Sequence, residues 1–173
     1  MTPQERREEI LKALQTEPEP LTGSDLAERF AVSRQVIVQD IALLRARGEA
    51  ILATPQGYLV VGKLKGEAYR AVLACQHAPG DMERELSLIV SLGGKILDVM
   101  VEHPIYGELK GMLMISSLKD VSRFMEEVTR HSARPLSALT DGIHLHTVEA
   151  PDAEAMEDIK KALHELGCLM PDI

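Results

Sequence analysis

Two histidines one residue apart, His144 and His146 in the stretch DGIHLHTVEA, are the residues of this sequence best spaced to do chemistry together. On a β-strand, residues i and i+2 project from the same face, so both imidazoles aim at one point while Ile143, Leu145 and Thr147 face the other way. Two protonated imidazoles placed that close repel each other unless a carboxylate or a cation lies between them. Imidazole is also the commonest protein ligand for metals, which makes a divalent transition metal the natural cation. An HxH pair by itself occurs more often on surfaces and in cores than at metals, so further donors matter. His77 ends an earlier apolar stretch just before a Pro-Gly turn, and Glu85 stands one helical turn beyond Asp81, beside an apolar stripe. Three imidazoles and a carboxylate would make a nitrogen and oxygen donor set suited to zinc, nickel or iron rather than calcium or magnesium. Spacing alone leaves open whether the four converge. Cys75 shares the strand face of His77 and reads as core. His103, before a proline, shapes a loop or lines a pocket, and His131 and His164 read as helix-end surface residues.

The elements that must carry these residues follow from periodicity. YRAVLACQH, from Tyr69, reads as a strand, and APGD breaks it with Asp81 as a helix cap. Met82, Leu86, Ile89 and Val90 fall on one face of the helix that follows, closed by Gly93 and Gly94. KILDVMVEHP reads as a strand with Ile96, Asp98, Met100 and Glu102 facing one way and Leu97, Val99 and Val101 the other. LKGMLMISS reads as another strand, although its apolar spacing would also serve a helix. A helix from Lys119 to Thr129 buries Val121, Phe124, Met125 and Val128. RHSARPLSALTD is a loop, GIHLHTVEA a strand, and Ala153 to Leu166 a final helix ending at Gly167. The order βαββαβα predicts an α+β sandwich with helices on one face of a largely antiparallel sheet.

The first third of the chain has a different texture. A helix around Ile10, Leu11 and Leu14 is broken by TEPEPLTG. Thr22 or Ser24 then caps a short helix, SDLAERF, and after Ala31 and Val32 Ser33 caps a third, RQVIVQDIALLRARG, with its stripe at Val36, Ile37, Ile41 and Leu44. EAILATPQGYLVVG follows as two strands around a PQG turn. Helix, helix, tight turn, helix and ribbon is the winged helix-turn-helix plan, whose third helix enters the major groove of DNA. Arg34, Gln35 and Gln39 are side chains able to read base edges, Ser33 can donate to a phosphate, and Arg45, Arg47 and Gln56 at the ribbon tip are candidate backbone contacts. VGKLKG at 61–66 reads as the linker between a DNA-binding domain at 1–62 and a second domain at 67–173.

Composition fits this division. The net charge of −8 disfavours DNA binding by the chain as a whole, since affinity for DNA is largely phosphate neutralisation. Residues 1–63, however, hold eight Lys and Arg against nine Asp and Glu, and residues 64–173 hold eleven against eighteen, so the acid is concentrated in the second domain. The two cysteines, Cys75 and Cys168, form no CxxC motif, and no run of about eighteen apolar residues is present. A cytoplasmic protein without a membrane span or signal peptide is expected.

Several separate motifs carry a family resemblance. SRQVIVQDIALLRARG followed by ILATPQGYLV resembles the biotin-repressor-like winged helix, and ACQHAPGDMERELSLIV, LGGKILDVMVEHPIYGEL, SSLKDV and PLSALTDGIHLHT resemble the three-histidine, or 3H, domain. Together they resemble the niacin-responsive transcriptional repressor family over nearly the whole chain. The resemblance implies a repressor of NAD-biosynthesis and niacin-uptake genes with nicotinic acid as co-repressor. It also implies one divalent transition metal per chain, nickel or zinc, held by His77, Glu85, His144 and His146. Around the metal, Tyr106, Arg134, Ser137 and Thr140 are candidates for holding the effector. A homodimer formed through the second domain, reading two half-sites of operator DNA, is expected. A repressor sensing the metal itself and a purely structural zinc site are the alternatives. A metal-dependent hydrolase is disfavoured, because no unligated base stands beside the histidines.

Overall fold

A computed structural model describes residues 1–64 and 68–171. The chain divides into two compact units, Met1–Gly66 and Glu67–Ile173.

In the first unit, α1 (Pro3–Thr16), α2 (Gly23–Arg29) and α3 (Arg34–Ala46) precede a hairpin of β1 (Ile51–Thr54) and β2 (Gly57–Val60). Each helix begins where a hydroxyl satisfies orphan backbone N–H groups: Thr2 and Glu5 form a capping box on α1, Thr22 and Asp25 one on α2, and Ser33 accepts from Val36 on α3. Their apolar stripes meet in a core of Ile10, Leu14, Leu26, Ile37, Ile41 and Leu44, closed by Ile51 of the hairpin. The segment expected only as a break between α1 and α2 also contributes a bridge. Leu21 and Tyr58 exchange both backbone hydrogen bonds, at 2.8 and 3.1 Å, which ties the wing to the helices. Gly57 permits this approach, since a Cβ there would lie 2.6 Å from the Leu21 backbone. Of the expected linker, Val61–Leu64 forms a 3-10 turn, and residues 65 and 66 lie outside those described.

The second unit contains β3 (Tyr69–Gln76), α4 (Met82–Ser91), β4 (Lys95–His103), β5 (Gly107–Ile115), α5 (Leu118–Arg130), β6 (Ile143–Ala150) and α6 (Ala153–Leu166). The four strands form one antiparallel sheet in the order β3-β6-β4-β5. All three helices cover a single face, where Leu73, Ile96, Ile115 and Val148 pack on Leu86, Ile89, Val121, Met156, Ile159 and Leu163. The edge of β3 is covered by the chain after α6, with Gln76 N–H bonded to the Cys168 carbonyl at 2.8 Å and Met170 N–H to the Ala74 carbonyl at 2.9 Å.

LKGMLMISS is the strand that its pattern predicted, paired along β4. Three local expectations are corrected. Residues 130–141 are not all loop, because Leu136–Thr140 winds into a 3-10 turn. Asp81 precedes α4 without capping it: a 3-10 turn at Pro79–Asp81 runs straight into the helix, and the Asp81 carboxylate takes Arg84 instead. The simple alternation along β4 also fails. Ile96 and Val99, expected on opposite faces, both pack into the helix-side core, because the register against β6 shifts between Ile96 and Met100.

Candidate metal centre

Register brings the histidines together. Cys75 lies opposite His144 and Leu73 opposite His146 across the β3–β6 pair, and the imidazoles project into the layer between sheet and helices. Helix α4 crosses above them and turns Glu85 inward beside Leu86 and Ile89, leaving it 1% exposed. The Glu85 carboxylate meets His77 Nε2 at 2.5 Å, His144 Nε2 at 3.1 Å and His146 Nε2 at 3.4 Å. Neighbouring rings stand nearly perpendicular, 82° for His77 and His144 and 81° for His144 and His146, so the three nitrogens arrive from different directions.

The other nitrogen of each ring fixes the chemistry. Nδ1 of His77 lies 2.8 Å from the Ala78 carbonyl, Nδ1 of His144 2.8 Å from the Gly142 carbonyl and Nδ1 of His146 2.7 Å from the Asp98 carbonyl. A carbonyl oxygen only accepts, so all three Nδ1 atoms carry the proton. Each Nε2 can then donate to Glu85 only if its ring is an imidazolium. Three imidazoliums around one carboxylate would leave two uncompensated positive charges in a closed site, which is costly. With neutral rings, three lone pairs and a carboxylate point at one another, an arrangement a divalent cation resolves. These four side chains could hold such an ion as a nitrogen-rich set with one carboxylate, and their outer nitrogens already have the carbonyl partners that orient metal-binding histidines.

Two backbone features create two of those partners. The bulge in β4 takes the Asp98 carbonyl out of the sheet ladder and offers it to His146, while the Asp98 carboxylate accepts the Thr147 N–H at 2.9 Å in its place. Gly142, with φ at +89°, supplies the carbonyl for His144 and packs so tightly that a Cβ would lie 2.4 Å from the His77 carbonyl oxygen. Gly142→Ala is therefore expected to cost about 1–3 kcal/mol through the backbone conformation alone. It should also weaken zinc binding by pushing His77 from His144. Urea unfolding with and without zinc checks both effects.

Burial acts on the charged groups here. Without a metal and with the rings protonated, burial alone would raise the Glu85 carboxyl, but hydrogen bonds from His144, His146 and His77 outweigh it and hold Glu85 far below the usual carboxylate range. For His77, burial disfavours the charged ring, and Glu85 and the Ala78 carbonyl more than offset it, raising the imidazole above its ordinary value. Cys75, read from sequence as core, is core and something more. Its sulfur, a Glu85 oxygen and a His144 nitrogen all lie within 4.8 Å of one another. Burial and then the Glu85 charge push its thiol pKa strongly upward. Strand spacing from His77 was the one sequence signal for this proximity.

A cavity of about 250 Å³ opens beside the imidazoles, walled by Leu113, Phe124 and Val128. Of the four effector candidates, Arg134 and Ser137 line it together with His77, Glu85, His144 and His146. Tyr106 does not. It is 72% exposed on the β4–β5 turn against the His103 ring, where His103 Nδ1 accepts the Ile105 and Tyr106 N–H groups and shapes the turn. Thr140 does not line it either. Its hydroxyl donates to the Ile143 carbonyl, and the residue borders a separate hollow that also includes Met100 and Leu145.

The 3H domain family matches residues 70–172 and an HTH domain matches residues 6–59. The chain is 45% identical over 169 residues to the probable transcription repressor NiaR of Thermotoga maritima, a match covering 98% of this chain and 95% of that protein. It is 43% identical over 169 residues to the transcription repressor NadR of Bacillus subtilis, covering 96% and 94%. The chain belongs to the 3H-domain transcription repressors. It is a DNA-binding protein and not an enzyme. Among the described residues, no helix is long and apolar enough to cross a membrane.

On the repressor's third helix, Ser33, Arg34, Gln35, Gln39 and Arg45 are all exposed. Ser33 also accepts the Val36 N–H at 3.3 Å, and Arg34 folds back toward Gly23, with Nε 3.4 Å from where a Cβ would stand. Gln56 fits the expected tip contact poorly, because it is half-buried and its amide oxygen is enclosed. The inner face of this helix carries a group that sequence reading missed. Asp40, 2% exposed, binds Arg6 Nε at 2.6 Å and Arg7 at 3.4 Å, tying the third helix to α1.

Proposed function

We propose that this repressor binds one divalent transition metal per chain, nickel or zinc, through His77, Glu85, His144 and His146, and uses nicotinic acid as co-repressor in the adjoining cavity. The observation that carries the reading is the set of three Nδ1–H groups anchored on main-chain carbonyls, which leaves three Nε2 lone pairs gathered around one buried carboxylate. A bound metal would supply a Lewis-acidic position for a pyridine nitrogen or a carboxylate. The repressor's own residues suit the rest of such a ligand: Phe124, Leu113 and Val128 offer an apolar wall for a flat ring, and Arg134 and Ser137 offer donors for an anionic group. The genes implied are those of NAD biosynthesis and niacin uptake, in the cytoplasm.

On DNA, Arg34, Gln35 and Gln39 read base edges while Ser33 and Arg45 hold the backbone, with Gln56 the weakest member of the set. Half-site recognition requires a homodimer, formed through the second domain, and the effector favours the dimer geometry that spaces two recognition helices one groove repeat apart.

Fluorescence anisotropy of labelled operator DNA, titrated with metal-loaded protein with and without nicotinic acid, tests the reading. Tighter binding with nicotinic acid, lost in His144→Ala, is expected. Binding that depends on metal but ignores nicotinic acid would make the protein a metal sensor. A His144→Ala variant that unfolds would instead indicate a structural ion.

A further inference from the structure

We propose that the Cys75 thiol is a positioning residue for the metal centre: it donates its S–H to Glu85 and holds that carboxylate turned toward the three imidazoles. The inference rests on reading the cluster as a metal centre. Each histidine is oriented from behind by a main-chain carbonyl. Glu85 has no comparable anchor, since among the described residues its carboxylate meets three ring nitrogens and no backbone N–H. Once a cation occupies the three Nε2 lone pairs, those nitrogens no longer donate to Glu85, and a carboxylate oxygen turned from the cation needs another donor. The group in place is Cys75, 0% exposed, opposite His144 in the strand register, its sulfur within 4.8 Å of both a Glu85 oxygen and a His144 nitrogen. A thiol is a weak donor, but in a closed site an unmatched carboxylate oxygen is costly, so even a weak donor matters. The side chain is also short. Its sulfur is one bond beyond Cβ, in the role of a ligand's support; because it lies within 4.8 Å of a Glu85 oxygen and a His144 nitrogen, direct ligation is the competing outcome that the test separates.

The test uses the full-length chain and titrates it with zinc and with cobalt(II), whose absorption spectrum reports its donors. Cys75→Ala, which removes the donor, is expected to weaken metal binding about tenfold, within the range for outer-shell partners of metal ligands. Cys75→Ser, nearly the same size and still a donor, should keep wild-type affinity, so the two variants separate hydrogen bonding from packing. The wild-type cobalt spectrum should contain no sulfur-to-metal charge-transfer band. Such a band, lost in Cys75→Ser, would make Cys75 a ligand and overturn the proposal, as would equal affinities for wild type, Ala and Ser variants. Failure of the wild type to bind zinc or cobalt would overturn the metal reading itself.

Discussion

Glu85→Gln is expected to lower affinity for zinc or nickel by roughly 100-fold or more, since losing an inner ligand exceeds the effect of losing a supporting partner. It should also flatten the pH dependence of metal-free stability. In the wild type two linked shifts have opposite signs. The Glu85 carboxyl is held below its ordinary value of 4.5, so its contribution is complete above that pH and is lost as acid protonates it. The His77 imidazole is raised above its ordinary 6.5, so its contribution is complete below that pH and is lost as pH rises through the folded value. The metal-free second unit is therefore expected to be most stable between 4.5 and 6.5. Metal reverses the alkaline loss, because binding displaces protons and strengthens as the imidazoles become neutral. Urea melts from about pH 4 to about pH 8, with and without zinc, check this linkage. A metal-free wild type that is most stable above neutrality would contradict it.

Asp40→Ala should destabilise the DNA-binding unit by roughly 3–5 kcal/mol, because it strips the counter-charge from two arginines in a nearly closed site. Arg6 and Arg7 retain only 14% and 13% side-chain exposure, so water cannot readily replace the carboxylate. Operator affinity should fall as well, since Asp40 is the polar tie between α1 and the helix that carries Gln35 and Gln39. Urea unfolding followed by helical circular dichroism, with anisotropy on the same samples, measures both. A change under about 1 kcal/mol would show that the apolar core alone sets the orientation of α3.

What was legible in the sequence depended on how far each signal reaches along the chain. Caps at Thr22 and Ser33, the stripe at Ile37, Ile41 and Leu44, and the shared face of His144 and His146 are local, with periods of 3.6 or 2 that survive folding. Glu85 was legible as a neighbour of the Leu86 stripe, although nothing in its spacing told that it would enter the core. The bulge at Asp98 was hidden because β4 is buried on both faces along most of its length, and such a strand has little alternation to interrupt. Tyr106 and Thr140 were drawn to the cavity by their chemistry, whereas the β4–β5 turn and the Leu136–Thr140 turn decide where they lie. The Asp40 clamp joins residues 33 and 34 positions apart and has no local signature at all.

The main-chain anchoring of the three imidazoles has a consequence for how such a site changes over generations. A ring oriented by a side chain can be released by a single codon change in its partner, but every residue, whatever its side chain, carries a main-chain carbonyl. The side chain at Ala78 can therefore drift while His77 keeps its aim, whereas Gly142 is held by its own positive φ and tight packing. Inherited variation in what the site prefers should accumulate instead around the one donor that the backbone does not hold, and in the cavity wall that a diffusing molecule meets first.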